Sequence, residues 1–293
     1  MSYIVNNAIL MAAGTSSRFA PLSYELPKAL ITIKGEILIE RQISQLKAAG
    51  IEQIIVVAGY KKEQFYYLED KFDVIVVDND DYNLRNNNSS IYAVRDYLNN
   101  SYICSADNYF TRNPFEKEVD DSYYAALYAN GETDEWCIKE DEDGYINHVQ
   151  IGGRDSWYML GHVFWNESFS KKFVDILIRE YDLPQTKDLL WEAIYMNHLD
   201  ELKLKIRRYD SDFIFEFDTL EELRLFDSSY LDNSGSKILE KISKELQCNE
   251  SQITNIVALK AVNRQEAIGF SFICNERKYQ YDYNAKELRK LNE

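Results

Sequence analysis

Two cations stand ten residues apart near the start of the chain, in MAAGTSSRFAPLSYELPKAL (residues 11–30). Arg18 offers a planar fork of donors that matches phosphate oxygens, and Lys28 offers a point charge beside the stiff Pro27. Gly14, Thr15, Ser16 and Ser17 precede them, small enough for their backbone N–H groups to approach an anion. By composition alone the stretch could equally be a surface loop with two solvated cations. It matches neither G-x-x-x-x-G-K-[ST] nor G-x-G-x-x-G. A second group of residues is acidic. Asp107 ends the strand-like YICSA, and Glu216 and Asp218 alternate in FIFEFD, which predicts one shared strand face. Such oxygen donors suit Mg²⁺. A third group is aromatic: Trp136, Trp157, Trp165 and Trp191 all fall between residues 136 and 191. Asp188 and Trp191 are three apart on an expected helix over 187–199, hence on one face. Ring faces beside a carboxylate are what a quaternary ammonium needs, because it has no N–H to donate. Trp165, inside HVFW, reads as core.

The elements that must position these residues are legible as two periodicities. AILMAA, QIIVVAG, DVIVVDN and SYICSAD read as strands, alternating with the helical stretches ILIERQISQLKAAG, KEQFYYLEDKF and SSIYAVRDYLNN. This alternation predicts an α/β fold with parallel strands and helices on both faces. After Asp107 the pattern turns to strands (SYYAALYA, EWCIKE, YINHVQI, YMLGHVFW) with a hairpin turn at EDEDG. Two helices follow, over 168–181 and 187–199, then the strands LKLKIRRY and FIFEF and the helix TLEELRLF. DSSYLDNSGS (227–236) reads as a linker. It divides a main domain, 1–230, from a small helix-plus-hairpin α+β extension, 231–293.

Composition bounds the function. The chain has 293 residues, 45% of them apolar, enough for a sizeable core. A formal charge of −16 makes nucleic acid or an anionic membrane a poor partner. Cys104, Cys137, Cys248 and Cys274 are too scattered for a zinc site and suit reduced thiols in a cytoplasmic protein. Neither a signal peptide nor a membrane-spanning run is expected.

Three segments resemble one family. MAAGTSSRFAPLSYELPKAL is similar to L-A-A-G-x-G-x-R…P-L-T…P-K-A of the sugar-phosphate nucleotidyltransferase superfamily, with Ser16 where glycine and Ser23 where threonine are usual. NDDYNLRNNNSSIYAV, SADNYF and FEFDTLEEL extend the resemblance over about residues 5–226, and within the superfamily it points to bacterial CTP:phosphocholine cytidylyltransferases. The resemblance implies a Rossmann-like (GT-A-like) mixed sheet flanked by helices. It implies Mg²⁺-dependent transfer from CTP to phosphocholine, with Asp107, Glu216 and Asp218 toward the metal and Arg18 and Lys28 toward the phosphates. Ala12, Ala13, Gly14, Thr15, Ser16, Ser17, Gly59, Tyr60, Asn87 and Ser90 would hold the nucleotide, and Trp136, Tyr158, Asp188 and Trp191 the acceptor. Alternatives are a 2-aminoethylphosphonate cytidylyltransferase, a sugar-1-phosphate nucleotidyltransferase and a non-catalytic nucleotide-binding scaffold. The segment from Ile253 to Tyr283 is similar to the first strands of a choline-kinase-type N-terminal lobe, but the chain ends before any kinase catalytic loop. The extension is therefore expected to pack on the main domain or to pair two chains as a homodimer.

Overall fold

A computed structural model describes residues 2–260 and 266–291. The chain divides into two compact units, residues 1–14 with 39–216, and residues 15–38 with 217–293. These limits differ from the expected boundary at 230/231. The loop that carries Arg18 and Lys28 falls in the same unit as the C-terminal extension.

The first unit is built on a seven-stranded mixed sheet. Its strand order is Lys205–Arg208, Tyr123–Glu140, Ile146–Trp165, Ser101–Ser105, Asn7–Ala12, Gln53–Ala58, Ile75–Asp78. The last four strands are mutually parallel, as the alternation of periods predicts. Asn7–Ala12 is buried on both faces, which is why it reads as an unbroken apolar run. The helix Leu38–Ala48 follows its predicted span, and Gly50, with φ +79°, takes the left-handed turn beyond it. Strands expected separately in the second half fuse into one long, bulged hairpin, Tyr123–Glu140 paired with Ile146–Trp165, turning at residues 141–145 as expected. Ile9, Ile55, Ile91, Ile103, Tyr124, Met159, Trp165, Phe173 and Trp191 belong to one continuous core.

Two element boundaries differ from expectation where the site is concerned. The helix predicted from residue 187 begins only at Trp191, because Pro184–Thr186 forms a separate 3₁₀ turn. The strand predicted through Asp218 covers only Ile214–Phe215, so period-two alternation does not govern Glu216 and Asp218.

The second unit holds a meander, Thr254–Lys260, Ala267–Cys274, Arg277–Asp282 and Glu287–Lys290, with neighbours antiparallel. The expected helix-plus-hairpin is thus the helix Lys237–Leu246 and four strands. Tyr283 stacks on Tyr24 with centroids 3.8 Å apart, and Glu25 Oε1 accepts from the Ile238 amide at 3.2 Å. The extension therefore packs on the segment that follows Arg18. Among the described residues no helix is long and apolar enough to cross a membrane.

Candidate active site

The carboxyl edge of the parallel strands gathers the expected nucleotide-binding turns of the first unit. Register pairs Ala12 with Ala58 and Met11 with Ser105, so the turns after these strands lie side by side. The Tyr60 amide donates to Ala13 O at 3.1 Å, and the Ala106 amide donates to Met11 O at 3.1 Å. Gly59 is required by packing: a Cβ there would meet the Tyr82 side chain at 2.6 Å and the Ala13 Cβ at 2.9 Å. Sequence reasoning missed Tyr82, which lies over this turn.

Asp107 lies in the turn after Ser101–Ser105, as expected. Gln42 clamps this turn from the helix Leu38–Ala48, donating to Ser105 O at 2.9 Å and Asn108 O at 2.8 Å while itself buried. Phe215 pairs with Tyr109, and Asn108 donates to Glu216 Oε2 at 3.4 Å, so Glu216 lies one residue away from Asp107 across this pairing. Among the described residues no three His, Cys, Asp or Glu side chains form a group that could hold a metal. A carboxylate pair is still a fitting donor set for Mg²⁺, which commonly takes one or two carboxylates and completes its shell with water and substrate phosphate.

In the second unit Arg18 Nη1 lies 2.7 Å from Asp218 Oδ2, linking two residues expected in different roles. Lys28, 5% exposed, opens a 3₁₀ turn behind Pro27, with its ammonium 5.9 Å from the Phe19 ring centroid. Thr15 and Ser17 flank Ser16, whose backbone is left-handed (φ 45°, ψ 42°). That conformation explains why glycine is usual at this position.

Several expected contacts are already engaged within the protein. The Asn87 side chain accepts from the Trp191 amide at 2.7 Å and donates to Glu192 Oε2 at 3.1 Å, so it caps the helix Trp191–Asn197. Ser90 Oγ is buried and accepts from Asn79 at 3.1 Å. Asp188 is exposed in the turn before the helix and so does not share a helix face with Trp191. Trp191 is 1% exposed, stacked on Tyr124 (5.7 Å) and edge-on to Trp165 (5.2 Å), which makes it a core ring. Trp136 is partly buried against the same core.

Sequence reasoning also missed Glu192. Its Oε1 accepts from the Tyr124 hydroxyl at 3.2 Å, and burial pushes its pKa up to about 7 against the opposing pull of its Asn87 and Tyr124 hydrogen bonds. Burial raises the Tyr158 hydroxyl pKa, and the carboxylates of Glu135 and Glu216 raise it further. Burial likewise raises Tyr124, with Glu192 and then Glu216 adding to it. The first unit therefore sets Tyr124 and Tyr158 among three carboxylates.

Residues 8–138 match the family model for the MobA-like NTP transferase domain. Over 217 residues the chain is 34% identical to the choline-phosphate cytidylyltransferase of Streptococcus pneumoniae R6, covering 74% of this chain and 95% of that protein. Over 229 residues it is 37% identical to the 2-aminoethylphosphonate cytidylyltransferase of Lancefieldella rimae, covering 77% and 93%. The chain belongs to the bacterial cytidylyltransferases of the MobA-like NTP transferase superfamily. A solved structure of CTP:phosphocholine cytidylyltransferase from S. pneumoniae matches this cytidylyltransferase with a TM-score of 0.74 at 33% identity, over 78% of this chain and 99% of that one. The expected α/β fold is thereby established. These comparisons leave about a quarter of the cytidylyltransferase unmatched.

Proposed function

We propose that this enzyme transfers CMP from CTP to phosphocholine, giving CDP-choline and pyrophosphate. The observation that supports this acceptor is the partly buried Trp136 and Tyr158 of the paired strands, with Glu135 and Glu216 acting on Tyr158. A quaternary ammonium is bound by ring faces at ~0.5–2 kcal/mol each and by nearby negative charge. The S. pneumoniae relative is named for the same acceptor.

A phosphate oxygen of phosphocholine is already ionised near neutral pH and needs no general base. It bonds to the α-phosphorus as the bond to the pyrophosphate oxygen breaks. Rate then comes from positioning two anions and cancelling their charge. In this reading Lys28 meets the α-phosphate, Arg18 meets the β- and γ-phosphates, and the Thr15–Ser17 amides line the approach. Asp107 and Glu216 would hold Mg²⁺, which would neutralise phosphate charge when bound. The four reduced cysteines suit a cytoplasmic setting.

A second reading, transfer to 2-aminoethylphosphonate, is favoured by the core position of Trp191, which leaves fewer ring faces for a cation. A primary ammonium could donate N–H bonds to Glu135 and Glu192. Trp136→Ala separates the two readings. The KM for phosphocholine should rise about tenfold, equivalent to ~1.4 kcal/mol. The KM for CTP should change less than about twofold, well under 1 kcal/mol. Equal losses for both substrates would contradict the phosphocholine assignment.

A further inference from the structure

The segment 181–190 joins the helices Glu167–Glu180 and Trp191–Asn197 with no regular structure beyond the 3₁₀ turn Pro184–Thr186. Its backbone polar groups must therefore find partners elsewhere. Three consecutive asparagines supply them. The Asn86 amide donates to Lys187 O at 3.0 Å, and its side chain donates to Asp188 O at 3.1 Å. The Asn88 side chain donates to Thr186 O at 3.0 Å and to Leu189 O. With the bonds from Asn87 to the Trp191 amide and to Glu192, the carbonyls of residues 186–189, one amide and one carboxylate are all fixed from this triplet. On its other side the triplet is tied to the carboxyl edge of the parallel strands. The Asn79 amide donates to Ala58 O at 2.7 Å, its side chain donates to Ser89 Oγ at 2.9 Å, and Ser89 Oγ donates to Asn86 O at 2.9 Å. Asn88 is fully buried, and its Oδ1 meets no donor among the described residues. An apolar residue would avoid that orphan acceptor, so what Asn88 contributes is its two N–H donors. Beyond the clamp stands Glu192, half-buried between the Asn87 side chain and the Tyr124 hydroxyl. The Glu216 carboxylate also acts on that hydroxyl, so Glu192 and Glu216 face the same ring tip.

We propose that Asn86, Asn87 and Asn88 are positioning residues for the acceptor, fixing residues 186–192 so that the Glu192 carboxylate meets the acceptor's ammonium. Such a role rests on the proposed acceptor chemistry, an ammonium group, which phosphocholine and 2-aminoethylphosphonate share. The buried Asn88 touches no substrate and acts through the backbone of residues 186–189. A carboxylate held at both oxygens cannot turn away from its target, and the backbone that carries it is braced independently.

Two pairs of acceptors, each matched in shape and differing in charge, test the proposal: phosphocholine against 3,3-dimethylbutyl phosphate, and 2-aminoethylphosphonate against propylphosphonate. For each, kcat/KM is measured on the full-length enzyme at saturating CTP and Mg²⁺. Wild type should favour the charged member of at least one pair about tenfold. Asn88→Ala should cut that preference about fivefold. The neutral member and the KM for CTP should change less than about twofold. Should Asn88→Ala fail to fold, Asn87→Asp carries the test. It is isosteric, keeps an acceptor for the Trp191 amide and sets a second carboxylate beside Glu192, which then takes up its proton at higher pH. The rise in the charged acceptor's KM as pH falls should begin about one pH unit higher than in wild type. A wild type indifferent to charge in both pairs would refute the ammonium chemistry and the positioning role with it. A wild-type preference that survives intact in Asn88→Ala, an unmoved pH profile in Asn87→Asp, or equal losses on charged and neutral members would overturn the positioning role alone.

Discussion

Ser16 and Glu192 mark the two ends of what residue types disclose. Ser16 sits in a left-handed conformation that costs a non-glycine residue about 1 kcal/mol, so its departure from the family pattern is a local strain. That loop drew attention because its small residues lead directly into Arg18, with Lys28 ten positions further on. Glu192 was not legible, being one carboxylate among 49 acidic residues. Its meaning comes from Asn87, 105 positions away, and Tyr124, 68 positions away. The raised pKa gives it a testable role. A carboxyl with pKa near 7 is charged above that value and neutral below it. Attraction for the acceptor's ammonium should therefore weaken as pH falls through about 7. Measured from about pH 8.5 to 6.5, above the second phosphate ionisation near 6, the phosphocholine KM should rise as pH drops. Glu192→Gln should flatten that dependence while leaving the CTP KM unchanged. A wild-type KM independent of pH, or an unaltered profile in the variant, would exclude Glu192 from acceptor recognition.

Among elements, the parallel strands were read well because burial on both faces leaves an unmistakable apolar run. The helix start at Trp191 was misread because Asp188 and Trp191 satisfy helical spacing, while the 3₁₀ turn at Pro184–Thr186 interrupts the chain before them. The strand at 214–215 was overextended for a similar reason: alternation continues in the sequence after the pairing stops. Neither pattern reveals the support beneath Asp107. Gln42 holds that turn through two carbonyls, and no local signal distinguishes it from other helical glutamines. Gln42→Leu removes both bonds, at ~1 kcal/mol each, and should lower Tm by a few degrees. If the turn positions Asp107 for the metal, kcat should fall on the order of tenfold and the Mg²⁺ concentration for half-maximal rate should rise. Reduced stability with an unchanged Mg²⁺ dependence would make Gln42 a purely structural residue.

For the whole molecule, the sequence foresaw a main domain and an appended module, and the structure distributes the chain differently. Residues 15–38 join the extension, through the Tyr24–Tyr283 stack and the Glu25–Ile238 bond. Contacts between segments more than 200 residues apart leave no trace in local composition, so this pairing could not be read in advance. The extension packs on the segment that follows Arg18. Membership of the cytidylyltransferases fixes the reaction class, and the acceptor is the point on which the two named relatives differ. The decisive measurement is kcat/KM for phosphocholine and for 2-aminoethylphosphonate on the full chain, at saturating CTP and Mg²⁺, read as pyrophosphate release. The proposed phosphocholine reading predicts a ratio of at least about ten in favour of phosphocholine, ~1.4 kcal/mol of discrimination. A ratio at or below one would contradict the assignment and establish the phosphonate as the substrate.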